Sequence, residues 1–460
     1  MKKTIYSKIA LLAALLTLGL TANAQQKAKA FGRPVKTAPS ESGHIRCVST
    51  EYEEYLQEKM PERETKEQFE QWIAGKIAEG KARRQASPSN EAIVITIPVV
   101  VHVIHDGDAV GSGENIKEGQ ILSQITVLNQ DYRRMAGTPG FNSDAVGADI
   151  EIEFCLAKTA PDGTLTNGID RVNLGQTEWG NSDIESIMKP ETSWDPTKYF
   201  NIWVCRFGGD LADVLGYAQF PQSSGLQGLS APYTASRDGV VIGYQNFGSR
   251  TIYPSGTYQT PYDKGRTATH EIGHALGLIH IWGDYIGCSN QAQNGDYCAD
   301  TPVSEDANDT CPEGFDSCPS LPGEDMTNNY MDYTRDNCMN IFTADQKTRM
   351  RTVMQNSPRR ASLTTSTVCQ PPTAGVEDFE LLNGINLYPN PAQDILNIAV
   401  ENGELPDSFT IYNNLGQTIA TVKVSSNANL TINTSSYSNG IYFIKVDKGS
   451  QSKKLKFVKN

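Results

Sequence analysis

The stretch TATHEIGHALGLIHIWGD, residues 267–284, decides both the fold and the chemistry expected of this 460-residue chain. It contains the spacing H-E-x-x-H-x-x-G-x-x-H, which is formed by five residues: His270, Glu271, His274, Gly277 and His280. Histidines four positions apart lie on one face of a helix, so His270 and His274 can bind the same metal ion. Gly277 can adopt a positive φ that ends the helix, which lets His280 approach the metal from outside it.

Three imidazoles leave one coordination position of a zinc ion open, which is typical of catalytic rather than structural zinc sites. Glu271 lies beside the ligands, where it can take a proton from a water at that open position. The alternative is a helix with chance histidines on a polar face. The chain has only six histidines, three of them in this motif, and the long form of the motif is far more specific than H-E-x-x-H alone.

The amino-terminal residues 1–24 have the pattern of a secretory signal. Lys2 and Lys3 precede an apolar run over residues 9–20, and Ala-Asn-Ala at 22–24 is a small-x-small cleavage site. That run is too short to span a membrane, and no later segment is long and apolar enough. We therefore expect an exported protein without a membrane span. We also expect it to be a monomer. The net charge of −13 argues against nucleic acid as a partner.

Residues 25–90 are polar and charged, with too few apolar residues for a core of their own. A helix is predicted from Glu51 to about Lys81, followed by a flexible Ser/Pro stretch where a protease could remove a propeptide. Cys47 is the only cysteine of this segment. Its thiolate could occupy the open position of the zinc and exclude the catalytic water. Alternatively, it is an incidental free thiol.

Residues 91–361 alternate between strand and helix patterns. The sequence AIVITIPVVVHVIHD is apolar on both faces near its middle, as a central strand would be. A helix with an apolar face is predicted over 119–134. Four further strands are predicted, over residues 150–157, 198–207, 216–221 and 238–248. This order predicts an α/β (α+β) domain with a mixed, mostly parallel five-stranded sheet packed against the zinc helix.

The long segment 283–340 holds five cysteines and many Asp and Asn residues. A loop of this length should be stapled by disulfides or by metal. Disulfides are favoured over a second zinc site, because no C-x-x-C pair occurs there. The acidic run 298–309 could hold calcium through its oxygens, or it could be a solvated acidic loop. Beyond it, Thr343 and Gln346 form a capping box for a helix that reaches about Gln355.

Three strings together point to a family: GRTATHEIGHALGLIH, ADTPV and NNYMDYTRDNCMNIFTADQKTRM. Over roughly residues 92–358 the chain resembles the pappalysin family of metzincin zinc proteases, including its small bacterial members. The resemblance implies His270, His274 and His280 as zinc ligands and Glu271 as the general base. It also implies Met331 as the Met-turn residue beneath the metal and Tyr333 as a group that stabilises the oxyanion of the reaction.

The same resemblance implies two disulfides, Cys288–Cys318 and Cys311–Cys338, and a structural calcium with Asp300 and Thr301 among its contributors. Cys155 and Cys205 lie on predicted strands and are expected to be buried free thiols. Cys298 and Cys369 have no assigned partner.

Two further features follow from the resemblance. Arg46-Cys47 resembles the cysteine switch of latent bacterial pappalysins, in which the thiol blocks the zinc. Arginine-directed members carry an acidic residue at the position of Asn337, on the floor of the pocket for the residue after the scissile bond. An amide cannot neutralise a guanidinium, so Asn337 leaves arginine preference open, with the adjacent Asp336 as the alternative acidic group.

The carboxy-terminal part begins with a Ser/Thr/Pro-rich linker over 362–376. Short alternating strands separated by Gly, Asn and Pro turns then predict a small all-β sandwich over 377–460. NLYPNPAQDIL, NNLGQ, NGIYFIKV and the Lys-rich end resemble the C-terminal sorting domain of the type IX secretion system. The resemblance implies that secretion machinery as a partner, and a location outside the cell or on its outer surface. The alternative is a carbohydrate-binding or adhesive domain.

Together these features predict a secreted zinc endopeptidase that is made as a latent zymogen and cleaves protein and peptide substrates. We expect an extended substrate to add as a strand to the sheet edge near Gly216–Pro221. The alternative is a surface adhesin or binding module built on an inactive protease scaffold.

Overall fold

The computed structural model describes residues 28–86, 94–222, 235–288, 295–372, 385–400, 405–449 and 451–460. The predicted signal segment, the Ser/Pro stretch after residue 86 and the end of the predicted linker lie outside the described residues. The chain divides into two compact units, Met1–Pro372 and Thr373–Asn460. In the described ranges, no helix has both the length and the apolar character that crossing a bilayer requires.

The amino-terminal segment packs onto the first unit instead of forming a core of its own. Its elements are β1 (Lys29–Ala30), β2 (Arg33–Pro34), α1 (Ser49–Lys59) and α2 (Lys66–Ala86). The prediction of one helix from Glu51 to Lys81 is wrong, because the chain breaks between α1 and α2 around Pro61. Proline disfavours helical geometry at the residue before it, here Met60, which ends α1.

The sheet of the first unit has six strands in the order β4-β3-β6-β8-β7, with β5 also paired to β3. Their bounds are β3 (Ile95–His105), β4 (Ile152–Leu156), β5 (Ile169–Asn173), β6 (Phe200–Cys205), β7 (Gly216–Ala218) and β8 (Gly239–Gly243). All pairs are parallel except β7 with β8, so β7 is an antiparallel edge strand. This confirms the predicted α/β class and mixed sheet. The prediction missed β5, whose half-buried residues lack a clear apolar alternation.

The helices of this unit pack around the sheet. Their bounds are α3 (Glu118–Tyr132), α4 (Asn181–Asp183), a π-helical turn (Ile184–Met188), α5 (Lys189–Thr192), α6 (Arg266–Ala275), α7 (Ala344–Asn356) and α8 (Pro358–Leu363), with 3-10 turns at Gly209–Leu211 and Tyr244–Asn246. Every residue of α6, the predicted zinc helix, is buried. Thr343 and Gln346 form the predicted capping box at the start of α7.

Disulfides staple the irregular segment that follows α6. The structure joins Cys288 to Cys318 and Cys311 to Cys338, the two pairs implied by the family resemblance. The expectation that Cys155 is a free thiol is wrong, because it is bonded to Cys369 across a separation of 214 residues. Sequence pattern alone gives no sign of a contact over that distance. Cys47, Cys205 and Cys298 are free and buried.

The second unit is all-β and contains two sheets with the strand orders β13-β10-β9 and β12-β11-β14-β15. The bounds are β9 (Ile385–Tyr388), β10 (Ile395–Val400), β11 (Ser408–Asn413), β12 (Thr418–Lys423), a 3-10 turn (Asn427–Leu430), β13 (Thr431–Asn433), β14 (Gly440–Lys448) and β15 (Gln451–Lys459). Side chains of both sheets, such as Leu396, Ile398, Phe409 and Ile444, share one core. This is the small all-β sandwich expected from the alternating pattern.

Candidate metal centre

The three motif histidines meet at one buried point. The Nε2 atoms of His270 and His274 are 3.1 Å apart, those of His274 and His280 are 3.1 Å apart, and those of His270 and His280 are 3.3 Å apart. α6 supplies the first two from adjacent turns. Gly277, with a φ of 90°, reverses the chain so that His280 completes the group.

The second nitrogen of each ring has its own acceptor. Nδ1 of His270 donates to the Tyr330 carbonyl at 2.7 Å, and Nδ1 of His274 donates to the Leu278 carbonyl at 2.9 Å. Nδ1 of His280 pairs with the Asp284 carboxylate. These bonds place the protons on Nδ1, so the three Nε2 lone pairs face one another.

Three converging lone pairs repel unless a cation lies between them, so these residues fit a metal ion. Burial, together with the neighbouring histidines, lowers the pKa of His270 well below its usual range. Burial, and then His280, lowers the pKa of His274 to about 3. Neutral imidazoles are the form that binds metal.

Cys47 of the amino-terminal segment adds a fourth donor. Its sulfur and the three imidazole nitrogens all lie within 4.8 Å of one another. The thiol also contacts the Ser49 hydroxyl at 3.2 Å and the Glu271 carboxylate at 3.4 Å. A set of three nitrogens and one sulfur is typical of tetrahedral zinc.

Glu271 faces the same point from α6. Its Oε2 accepts a hydrogen bond of 2.8 Å from the Ser49 hydroxyl, and burial raises its pKa to about 8. Ser49 Oγ also accepts from the backbone N–H of Ala218 at 2.8 Å. Ser49 therefore bridges the edge strand β7 and Glu271. The sequence analysis did not identify Ser49 as a site residue. Its position two residues after Cys47 could have indicated that it also lies near the metal centre.

Met331 and Tyr333 lie beneath and beside the histidines. Met331 is fully buried, and its sulfur packs against Gly273 so closely that a Cβ there would lie 2.5 Å from it. The Tyr333 hydroxyl donates to the Cys47 carbonyl at 3.1 Å. Its ring lies 4.8 Å from the ring of His280, so the phenol reaches the centre.

The amino-terminal segment runs along the edge of the sheet through this site. Ile45 forms a parallel bridge with Val214, in which Ile45 N–H donates to the Asp213 carbonyl and Leu215 N–H donates to the Ile45 carbonyl, both at 2.9 Å. The segment continues to Ser49 at β7. It therefore covers the edge where an extended substrate was predicted to bind.

Arg46 lies in a buried pocket beside the metal centre. Its guanidinium pairs with the Asp336 carboxylate at 3.0 Å, donates to the Thr334 carbonyl at 3.1 Å and lies over the Tyr262 ring at 5.1 Å. Asn337 is exposed, and its amide points to the sulfur of Cys311 at 3.7 Å. The acidic group in this pocket is thus Asp336, the alternative to Asn337 that the sequence left open.

The side chains of Asp300 and Thr301 have different hydrogen-bond partners. The Thr301 hydroxyl donates to Asp296 at 2.8 Å, whereas Asp300 Oδ2 accepts from the backbone N–H of Asp345 at 2.9 Å. Asp300 Oδ1 is buried without a hydrogen-bond partner among the described residues.

Comparisons with known proteins agree with this site. Residues 183–355 match the family model described as pregnancy-associated plasma protein-A, and residues 386–460 match the secretion system C-terminal sorting domain. An extracellular metalloprotease of Neurospora crassa is 33% identical over 287 residues, which cover 61% of this chain and 84% of that protein. One of Sordaria macrospora is 34% identical over 288 residues, covering 62% and 85%.

Solved structures of a similar protease extend the comparison. Tannerella forsythia mature mirolysin, in complex with a cleaved peptide, is 39% identical, with a TM-score of 0.51, and the match covers 60% of this chain and 97% of that chain. A promirolysin mutant from the same organism is 37% identical, with a TM-score of 0.50 and coverage of 63% and 91%.

The fold and the site define a metalloendopeptidase of the metzincin type that is made as a zymogen and depends on a catalytic metal. The carboxy-terminal unit is a type IX sorting domain, so the enzyme is secreted or displayed at the cell surface. The chain belongs to the pappalysin family.

Proposed function

We propose that zinc is the catalytic metal and that His270, His274 and His280 hold it. The observation that carries the proposal is the convergence of three buried Nε2 atoms, whose rings are each oriented by a separate acceptor. Bound zinc would lower the pKa of a water in the open position and polarise the carbonyl to be cleaved.

Glu271 is the proton carrier of the proposed reaction. Its carboxylate accepts the proton of the attacking water and passes it to the leaving amine. The hydrogen bond that the Ser49 hydroxyl donates to Oε2 of Glu271 supports this assignment, because the segment that covers the site thereby blocks the carboxylate. Tyr333 would donate its hydroxyl proton to the carbonyl oxygen as negative charge develops there. In the precursor that hydroxyl donates to the Cys47 carbonyl.

Latency in this proposal comes from the amino-terminal segment 25–90. Cys47 would supply the fourth ligand of the metal, Ser49 donates a hydrogen bond to Glu271, and residues around Ile45 pair with the sheet edge. Cleavage in the Ser/Pro stretch that follows α2 would begin its removal. The remaining domain bounds stay predictions: catalytic domain 91–361, linker 362–376 and sorting domain 377–460. The first compact unit reaches Pro372, so it includes the first part of the predicted linker.

The Arg46 pocket indicates the substrate class. A carboxylate at its floor and an aromatic wall recognise a guanidinium by charge and by stacking. Asp336 is held in place by the backbone N–H groups of Lys264 and Arg266 at 2.9 and 3.2 Å. We propose that the enzyme cleaves before arginine and that Asp336, rather than Asn337, sets this preference.

Two predictions from the sequence stay predictions. A structural calcium near Asp300 is supported by the unpartnered buried Oδ1 of that residue, while Thr301 is engaged with Asp296. A chelator selective for calcium should then lower the melting temperature of the enzyme. The monomeric state can be checked by analytical ultracentrifugation.

The direct test of the function uses the trimmed, secreted enzyme and a quenched peptide with one arginine. Cleavage before arginine that stops with a zinc chelator and returns with added zinc is the expected result. Cleavage that persists in a zinc-free preparation would contradict the proposal. The Glu271→Ala variant, purified in parallel, controls for a contaminating protease.

A further inference from the structure

The amino-terminal segment has a second anchor, away from the metal. Tyr52 of α1 is fully buried, and its hydroxyl donates to Glu185 Oε2 at 2.7 Å and accepts from Lys189 Nζ at 3.2 Å. Lys189 and Glu185 pair at 2.6 Å, and Tyr217 donates to Glu185 Oε1 at 2.9 Å. Arg237 lies 3.6 Å from the same carboxylate. Apart from Tyr52, these groups belong to the catalytic domain.

The walls of this pocket suit an aromatic ring. The rings of Tyr52 and Tyr217 lie 4.9 Å apart in an edge-to-face arrangement. Lys189 Nζ lies 4.5 Å from the centroid of the Tyr52 ring and 5.6 Å from that of Trp203. A buried ammonium above an aromatic face is stabilised by the ring quadrupole. The pocket therefore recognises the ring and the hydroxyl separately.

The pocket lies across the edge strand from the metal centre. Successive side chains of a strand point to opposite faces of the sheet. In β7, a Cβ at Gly216 would meet Glu271, and Ala218 packs in the core with α6, so these two residues face the metal helix. Tyr217, between them, points to the other face. The pocket is thus continuous with the edge to which the substrate is expected to add.

Departure of Tyr52 leaves the Glu185 carboxylate and the Lys189 ammonium at the floor of a pocket with aromatic walls, and the Arg237 guanidinium stays beside the carboxylate. The π-helical turn Ile184–Met188 and the start of α5 fix both groups from one short stretch of backbone. A phenol hydroxyl can donate to the carboxylate and accept from the ammonium at once. A phenylalanine fills the walls but leaves both charged groups without that partner.

We propose that trimming uncovers an exosite for tyrosine, formed by Glu185, Lys189 and Tyr217, which binds a tyrosine side chain of a polypeptide substrate. This inference rests on the proposed function, because it concerns how the protease recognises its substrates. The occupant is argued from Tyr52 itself, which shows the chemistry that the pocket accepts.

The test is a binding measurement on trimmed enzyme that carries Glu271→Ala, so that the probe is not cut. The probe is a labelled peptide of residues 28–86 with Cys47→Ser, which removes the sulfur ligand. Tyr52→Phe in the probe should weaken binding roughly 10- to 100-fold, as expected for hydrogen bonds to charged groups. Glu58→Gln, an exposed position on the same helix, serves as the matched control, with a change below about 3-fold.

A second arm locates the effect in the pocket. In enzyme that also carries Glu185→Gln, the penalty of Tyr52→Phe should shrink to below about 3-fold, as in a double-mutant cycle. N-acetyl-tyrosine amide should displace the labelled probe, and N-acetyl-phenylalanine amide should not.

Equal binding of the parent and Tyr52→Phe probes would overturn the exosite and leave proteolysis unaffected. Absence of proteolysis in the trimmed wild-type enzyme would overturn the proposed function and leave the binding result intact. Because the first substitution lies in the probe, folding of the enzyme does not enter that comparison.

Discussion

Substitution of Asp336 by Asn in the trimmed enzyme tests the assignment of the arginine pocket. In the precursor the side chains of Arg46 and Asp336 are 1% and 0% exposed, so their ion pair is shielded from water. Removing one partner of a buried pair costs about 3–5 kcal/mol. If a substrate arginine occupies the same pocket, kcat/KM for its cleavage should fall roughly 10²- to 4 × 10³-fold.

The assay compares two quenched peptides that differ only in arginine or leucine after the scissile bond. The leucine peptide should lose less than about 3-fold, because no ion pair is broken. Asn337→Asp is the matched control, and we expect no gain in arginine preference, because Asn337 is exposed outside the pocket. Asp336 also accepts hydrogen bonds from the backbone N–H groups of Lys264 and Arg266 at the start of α6. The melting temperature of each variant must therefore be measured.

An equal loss of activity on both peptides would show that Asp336 supports α6 and does not recognise arginine. A gain of arginine preference in Asn337→Asp would show instead that position 337 belongs to the pocket.

Three further substitutions address the chemistry. Glu271→Ala should retain the metal and the fold but lower kcat by several orders of magnitude, and metal content with casein cleavage checks both. Cys47→Ala in the full-length precursor should give premature activity, although Ser49 still contacts Glu271; a silent precursor in a time course would leave steric covering as the block. Tyr333→Phe should lower kcat by roughly 10²-fold with little change in KM, and the reverse pattern would reassign Tyr333 to substrate binding.

Local sequence predicted the parts of the site that depend on short spacings. The histidine triad follows from the helical period and from Gly277, and the capping box fixes the start of α7. The Met-turn residue and Tyr333 came from the family resemblance, and the structure brings both to the histidines. The fold class followed from the strand and helix periods. Strand β5 was missed because its half-buried residues lack an apolar alternation, and only its backbone pairing with β3 defines it.

Contacts between distant segments were beyond prediction from local pattern. Arg46 and Asp336 are separated by 290 residues, and Cys155 and Cys369 by 214. Such pairs are set by how the amino-terminal segment and the residues after α8 pack on the rest of the first unit. The Tyr52 pocket is a further example of such a contact. In the sequence, nothing distinguishes Glu185 and Lys189 from ordinary surface charges, and only the fold brings Tyr52 to them.

X-ray absorption spectroscopy at the zinc edge, on the precursor and on the trimmed enzyme, can identify the ligands of the metal in both forms. We expect three nitrogen donors and one sulfur donor in the precursor, and three nitrogen donors with one oxygen donor after trimming. A precursor without a sulfur scatterer, or a metal bound to fewer than three imidazoles, would contradict this expectation.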